Sequence, residues 1–325
     1  MTPAETLPGV PVPELRALTL VGSNLYWIDS QGTPTASIKS VPTTGGKVTT
    51  VLSDPTLDQN MTTDGTLLYF TWTSAADAGQ SYKPSELDSV KVDGTSRTSL
   101  VTGFSTQNAT HTTPASELFL AGGNFYFVAA NNTVITNQLT SAPLAGTSSP
   151  TLINASAGSA VDLAYADSTG VYVTLESAAT PGAFDFSYVP LGGGTVTTLY
   201  PGGPLSGYPG AGQVTVVGST VYFPIDGVGT SAVTFMSATV PPTGAATMLG
   251  STITGAVANG IIGDAQDVYV FSDGTGVYSL NTTTGVPTSV DPNAVNENVS
   301  GEIRALDSKN VYFGEAGGGL WAHPR

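Results

Sequence analysis

The sequence predicts an all-β fold built from repeated units, and three observations lead to this prediction. First, a tyrosine inside a short apolar segment returns every 43 to 57 residues, at Tyr26, Tyr69, Tyr126, Tyr172, Tyr222, Tyr269 and Tyr312. Second, a turn containing Gly, Ser, Asn or Asp precedes each segment. Third, the 39 Gly and 22 Pro leave little room for long helices. The interval matches one four-stranded blade, so we predict a seven-bladed β-propeller.

Each repeat divides into four short strands, named here inner, second, third and outer. In residues 15–54, Gly22-Ser23-Asn24 separates the inner from the second strand, and Gly45-Gly46 separates the third from the outer strand. Gly and Asn tolerate the positive φ angles of tight turns, which supports hairpins at both places. We predict one domain over residues 1–325, with blades at about 15–54, 58–103, 115–154, 160–201, 212–250, 258–291 and 301–325.

The last repeat is one strand short, because the sequence ends soon after Gly319–His323. Residues 4–9, which include Glu5-Thr6-Leu7-Pro8, lie before the first inner strand and resemble the outer-strand segments. We therefore predict that this N-terminal segment pairs beside Gly319–His323 and closes the last blade. Such closure reduces the number of exposed strand edges.

Composition excludes several classes of partner. With 9 basic and 24 acidic residues the net charge is −15, which repels the phosphates of nucleic acids. The absence of Cys excludes disulfides and thiolate metal sites. No apolar stretch approaches the 18 or so residues that a membrane span requires. We expect a protein that is secreted, periplasmic or on the cell surface, because a composition rich in Ser, Thr and Gly and poor in Lys is typical of exported bacterial proteins whose leader has been removed. We also expect a monomer.

Two segments carry a family resemblance. YWID at Tyr26–Asp29 and KVDGTSRTSLV at Lys91–Val101 resemble the YWTD-type propeller repeat. The whole period is similar to that of uncharacterised exported bacterial propellers with a Val-Tyr-Trp strand and a Gly-Gly turn. The seven repeats depart from the six blades typical of YWTD propellers. The resemblance implies the fold and an exported protein, whereas propellers as a class perform unrelated functions.

The longest connections should meet on one face of the propeller, around the mouth of its central channel. These predicted loops are residues 73–88, 104–116, 176–187, 201–212 and 291–301. Long connections among short ones are often functional. We therefore expect the ligand on this face, with Tyr82, Tyr208 and His111 as candidate contacts. Phe184, Phe186 and Tyr200 lie in or beside the same loops, and core packing is the alternative for both phenylalanines.

Aligning the inner strands on the repeated tyrosine, with one inserted turn residue in repeats four, six and seven, places a polar residue at the same position in six of seven repeats. This set, which we call the mouth ring, is Ala17, Asn60, Glu117, Asp162, Gln213, Asn259 and Glu302. Three interpretations stay open. The side chains line a water-filled channel, they bind a polar ligand such as a sugar, or Glu117, Asp162 and Glu302 bind Ca²⁺, which prefers carboxylate and amide oxygens.

Two functions follow from these alternatives. The first is a non-enzymatic binding module for a glycan, a peptide or a protein, because no catalytic set stands out. The second is a Ca²⁺-dependent hydrolase or lyase. This layout resembles lactonase-type propellers, and the resemblance implies that Glu117, Asp162 and Glu302 are metal ligands assisted by Asn60, Gln213 and Asn259, with Asp58 or His111 as the base.

Overall fold

The computed structural model is built entirely of β-strands and their connections over the residues that it describes. These are residues 5–7, 15–29, 36–54, 56–73, 85–104, 118–131, 136–146, 151–152, 160–176, 183–203, 209, 213–226, 232–254, 257–264, 268–273, 276–291, 299–315 and 319–325. None of them is helical. Seven four-stranded antiparallel sheets form a ring, which confirms the seven-bladed β-propeller.

Each of the first four blades uses four consecutive strands in the order inner, second, third and outer. These are β2 (Leu15–Val21), β3 (Asn24–Asp29), β4 (Ala36–Pro42) and β5 (Thr49–Asp54); β6 (Leu57–Thr63), β7 (Leu67–Thr73), β8 (Ser85–Lys91) and β9 (Thr98–Phe104); β10 (Phe119–Ala121), β11 (Asn124–Asn131), β12 (Thr136–Pro143) and β13 (Thr151–Leu152); and β14 (Ala160–Asp167), β15 (Gly170–Glu176), β16 (Phe184–Val189) and β17 (Thr197–Gly203).

The next two blades follow the same order, and the seventh ends with an N-terminal strand. Their strands are β18 (Thr215–Val217), β19 (Thr220–Asp226), β20 (Ala232–Thr239) and β21 (Thr247–Thr254); β22 (Val257–Gly263), β23 (Val268–Asp273), β24 (Gly276–Leu280) and β25 (Pro287–Asp291); and β26 (Val299–Leu306), β27 (Asn310–Glu315), β28 (Gly319–Pro324) and β1 (Glu5–Thr6). In the last sheet Glu5 is the register partner of Ala322 and Thr6 that of Trp321. The Leu7 amide also donates to the Leu320 carbonyl at 2.9 Å.

The core lies between the blades. Among the described residues, seven clusters of buried side chains each span two neighbouring blades, from blades 1 and 2 round to blades 7 and 1. The repeated tyrosine always packs in the cluster shared with the following blade, while the residues on either side of it pack toward the preceding blade. This alternation is the period-2 pattern of a strand that is buried on both faces. It explains why the second strands are continuously apolar.

Turns between third and outer strands add a second contact between neighbouring blades. A Cβ atom at Gly94 would lie 2.2 Å from the Val51 carbonyl oxygen of the preceding blade, and one at Gly285 would lie 1.8 Å from that of Leu249. The Ala246 amide donates to the Leu199 carbonyl at 2.8 Å in the corresponding place between blades 4 and 5. Each of these turns therefore rests on the outer strand of the blade before it.

Candidate functional site at the channel mouth

The identical order of strands in every blade brings the beginnings of all inner strands to the same end of the ring. The connections from outer to inner and from second to third strands lie at this end too. Several are shorter than predicted, because β8 begins at Ser85, β16 at Phe184 and β26 at Val299. Backbone pairing thus extends these strands into segments that the sequence predicts as loops.

The five long inner strands share an irregularity close to the mouth. Their pairing with the second strand shifts register in β2 between Arg16 and Thr19, in β6 between Leu57 and Met61, in β14 on both sides of Asp162, in β22 between Ala258 and Gly260, and in β26 between Ser300 and Arg304. Such bulges leave extra residues outside the ladder, and they occur preferentially at rims and beside binding sites. The inner strands are therefore deformed at the same level around the channel.

The mouth ring coincides with these irregularities. Ala17, Asn60, Asp162, Asn259 and Glu302 each lie at or within a register shift, rather than at the first position of a regular strand as predicted. Glu117 and Gln213 precede the short inner strands β10 and β18 by two residues. Ala17 also has a φ of 50°, in the left-handed region that non-glycine residues rarely occupy. The six described positions thus lie where regular inner-strand pairing is interrupted or has not begun.

The structure describes the side chains of only some candidate residues. Asn60 is buried and Gln213 is half-buried, and neither lacks a partner. For Asp58, Asp162, Asn259 and Glu302 the description covers the backbone alone. The remaining candidates, Glu117, Tyr82, Tyr208 and His111, lie outside the described residues. Within the described part of the chain, no three His, Asp or Glu side chains gather in a group that could hold a metal ion.

Two buried threonines that the sequence analysis did not single out accompany the mouth ring. Thr71 is the second-strand residue between the partners of Leu57 and Met61, and so lies across from the bulge that contains Asn60. Thr174 is the register partner of Asp162. Both are 1% exposed, and neither hydroxyl has a hydrogen-bond partner. In the sequence these two threonines can be recognised by their position two residues after the repeated tyrosine, because blades 1 and 3 have the apolar residues Ile28 and Val128 there.

Phe184 and Phe186 belong to strand β16 rather than to a binding loop. Phe186 is fully buried, and its ring centroid lies 4.7 Å from that of Phe223 in the next blade. Phe184 packs at the edge of the same cluster, as does Tyr200, the register partner of Phe186. Core packing is therefore the correct alternative for Phe186.

The turns at the opposite end of the ring have a structural role that involves the repeated tyrosines. The Tyr69 hydroxyl donates to Asp64 Oδ2 at 2.8 Å, while the amides of Thr66 and Leu67 donate to Asp64 Oδ1, both at 2.8 Å. Asp307 and Tyr312 repeat this arrangement in blade 7. Burial alone raises the pKa of the Asp64 and Asp307 carboxyls, but these hydrogen bonds together outweigh it, so both pKa values lie below the ordinary range.

An ion-pair cluster between blades 1 and 2 is also structural. Arg97 donates from Nε to Asp88 Oδ2 and from Nη1 to Asp54 Oδ2, both at 2.6 Å. Its guanidinium lies over the rings of Phe70 and Trp72, with centroid distances of 5.4 and 5.3 Å. The guanidinium is thus held by charge and by aromatic faces. Arg97 fastens two neighbouring blades together.

Comparison with solved structures finds the same fold in proteins of very different sequence. The chain is similar to YCF48 from Cyanidioschyzon merolae, with 10% identity, a TM-score of 0.61 and 99% of both chains covered. It is similar to YCF48 bound to D1 peptide at 9% identity, with a TM-score of 0.64 and coverage of 100% of this chain and 96% of that one. It is also similar to TolB from Acinetobacter baumannii, with 12% identity, a TM-score of 0.50 and coverage of 98% of this chain and 66% of that one. At these identities the likeness shows the fold alone.

No protein-family model matches the sequence, and no curated protein matches it. Among the residues that the structure describes, no helix is long and apolar enough to cross a membrane.

Proposed function

We propose that this propeller binds a peptide or a segment of a protein at its channel mouth and acts as a binding module rather than an enzyme. The observation that carries the proposal is the set of register shifts at one level of five inner strands. Outer ladders also shift register in five blades, but the inner strands are the ones that line the channel, so their shifts change the surface that a ligand at the mouth would meet. Deformation at one level supports a shared surface at that level.

The chemistry of this surface matches a peptide backbone. Residues displaced from a ladder present N–H and C=O groups that the neighbouring strand does not use. The amide of the half-buried Gln213 combines donors with an acceptor, as the peptide group itself does. A ring of backbone groups and amide side chains can therefore hydrogen-bond to a main chain whatever its sequence, while the mouth-side connections supply selectivity.

Structural precedent for a peptide on this architecture comes from YCF48 bound to D1 peptide, whose chain this propeller matches over its full length. That protein is similar to this one in fold only, at 9% identity. The comparison therefore supports the class of ligand and leaves its sequence to experiment.

Selection from a library of displayed random peptides tests the proposal. The Kd values of enriched peptides would be measured by titration calorimetry for the wild type, for Gln213→Ala and for a control variant. The control combines Ser23→Ala with Ser219→Ala, because both serines lie in exposed turns at the opposite end of the ring. Loss of about one hydrogen bond should weaken binding about tenfold in Gln213→Ala and leave the control unchanged. Failure to enrich any peptide, or equal losses in both variants, would refute mouth binding.

The Ca²⁺-dependent hydrolase is the competing proposal, and it predicts a different result. If Glu117, Asp162 and Glu302 hold a metal ion, EDTA should lower the melting temperature and Ca²⁺ should restore it, since binding at 100 times Kd stabilises the native state by about 2.7 kcal/mol. Glu117→Ala combined with Glu302→Ala should abolish this response. The binding-module proposal predicts that EDTA leaves the melting temperature unchanged.

A further inference from the structure

Positive charge is missing from a long part of the chain. Residues 98–303 contain no Lys or Arg, although they include 12 of the 24 acidic residues. This stretch runs from outer strand β9 of blade 2, through the whole of blades 3 to 6, to inner strand β26 of blade 7. The basic residues of the described chain therefore lie in blades 1, 2 and 7, and blades 3 to 6 have no Lys or Arg of their own.

The second strands place carboxylates at the channel mouth. In blades 4 to 7 the second strand ends at an acidic residue, and this end lies at the mouth because the connection to the third strand lies there. We call this set the carboxylate rim, and its members are Glu176, Asp226, Asp273 and Glu315. At the opposite end the same strands begin with uncharged residues. Negative charge is thus concentrated at one end of four neighbouring blades.

Carboxylates at the opposite end are engaged within the fold. Arg325 donates from Nη1 and Nη2 to the two carboxyl oxygens of Asp264, at 2.6 and 2.8 Å, and so joins blades 6 and 7. Asp167 Oδ1 accepts a hydrogen bond from the Thr169 amide at 2.7 Å. Glu176 of the carboxylate rim, in contrast, is exposed. The mouth is therefore the end of the ring that attracts a cationic partner.

A buried hydroxyl accompanies the carboxylate rim in blade 4. Thr174 precedes Glu176 by two residues, so both side chains lie on the same face of strand β15. Its register partner on the inner strand is Asp162. Thr174 is 1% exposed, and its hydroxyl has no hydrogen-bond partner among the described residues. Because a hydroxyl oxygen accepts hydrogen bonds, a basic side chain that reaches past Glu176 would supply the donor that Thr174 lacks.

We propose that the segment bound at the mouth is basic, with several Lys or Arg residues that meet the carboxylate rim across blades 4 to 7. This inference rests on the proposed function and adds the chemical class of the ligand. The four rim carboxylates belong to four different blades and are spread around the mouth. A chain with several positive charges can meet them together, which a single metal ion cannot do. The same charge repels acidic segments and speeds encounter with basic ones.

Selection from the displayed peptide library tests this proposal through the composition of its products. Enriched peptides should contain more Lys and Arg than the starting library. The tightest peptide would be compared, by fluorescence anisotropy, with a copy in which Gln replaces every Lys and Arg. The copy should bind about tenfold more weakly at low salt, since several exposed ion pairs are lost. High salt should narrow this difference, because it screens charges at the surface.

Variants of the protein locate the effect on the ring. Glu176→Gln combined with Asp226→Asn removes two charges from the carboxylate rim and should weaken binding of the basic peptide about fivefold. It should affect binding of the Gln copy little. The matched control is Asp93→Asn with Asp167→Asn, which removes two charges from turns at the opposite end. The control should bind the basic peptide as the wild type does.

Three results would overturn the proposal. Enriched peptides without an excess of Lys and Arg would show that charge does not select the ligand. If those peptides still lose affinity in Gln213→Ala, the mouth remains the binding site and only the basic class is wrong. Equal losses in the rim variant and the control would place the basic segment elsewhere. If no peptide is enriched, mouth binding fails and this inference fails with it.

Discussion

The buried hydroxyl of Thr174 is a cost that the fold bears at the channel mouth. Burying a hydroxyl group without a hydrogen bond costs about 1–3 kcal/mol, and Thr174 Oγ1 lacks a partner at 1% exposure. Valine has nearly the same shape without the hydroxyl. We therefore expect Thr174→Val to raise the free energy of unfolding by about 1 kcal/mol, measured by urea denaturation.

Thr140 provides the matched control for this substitution. It is buried to 2% but does not lack a partner. Thr140→Val should therefore destabilise the protein while Thr174→Val stabilises it. If Thr174→Val destabilises the protein by the same amount as Thr140→Val, the Thr174 hydroxyl has a hydrogen-bond partner in solution and its burial carries no cost.

The Asp64 and Asp307 turns make stability depend on acid. The pKa of each carboxyl is lower in the folded protein than in the unfolded chain, so ionisation favours folding. This contribution is fully present above the unfolded pKa of about 3.9 and is lost as pH falls through the lower folded value. Melting temperatures between pH 6 and 2 should fall less steeply for Asp64→Asn with Asp307→Asn than for wild type. Parallel curves would show that these carboxylates do not stabilise the fold.

At the scale of elements, the turn containing Gly94 fixes the spacing between blades 1 and 2. Gly94 and Gly65 have φ angles of 83° and 88°, so alanine is strained at both by about 1–2 kcal/mol. Only at Gly94 would the new Cβ lie against a backbone carbonyl, 2.2 Å from Val51 O. Gly94→Ala should therefore be less stable than Gly65→Ala by about 1–3 kcal/mol in urea denaturation. Equal losses would mean that the turn moves freely away from β5.

Strand β1 is short, yet the residue after it is part of the core between blades 7 and 1. Leu7 is buried among Leu18, Trp27 and Leu320. Leu7→Ala should lower the free energy of unfolding by about 2–5 kcal/mol, the usual range for a buried leucine. Met248→Ala, at a position that is 59% exposed, should change the free energy of unfolding little. Removal of residues 1–12 should lower the melting temperature further, and no change on removal would contradict ring closure by this segment.

The sequence predicts the blades of this fold but not the bulges in its inner strands. The repeated tyrosine identifies the blades because each second strand is buried on both faces and must be apolar throughout. The bulges were not predictable, because a register shift depends on how two backbones pair and leaves no fixed residue type, as Ala17 and Glu302 at equivalent shifts illustrate. Phe184 lies within the predicted loop 176–187, yet it is the register partner of Glu176 in strand β15, so the ladder continues through a segment that the sequence does not mark as a strand.

At the scale of the whole molecule, the two ends of the ring differ in kind. One end has tight turns capped by Asp and Tyr side chains, which stabilise the fold. The other has inner-strand ladders that are interrupted at one level in five blades. A ring of seven similar blades has no need for such a difference unless one end meets a partner. The mouth ring should therefore contact the ligand, with the half-buried Gln213 among the residues that it touches.

Photo-cross-linking of a selected peptide tests this assignment most directly. A peptide with a benzophenone side chain would be bound, irradiated and located by mass spectrometry after digestion. Ligand binding at the mouth predicts cross-links to the beginnings of inner strands, such as residues 15–19, 57–61 and 213–215, and to the connections beside them. Cross-links confined to the turns at the opposite end, such as Gly22-Ser23, Gly122-Gly123 or Gly218-Ser219, would contradict it.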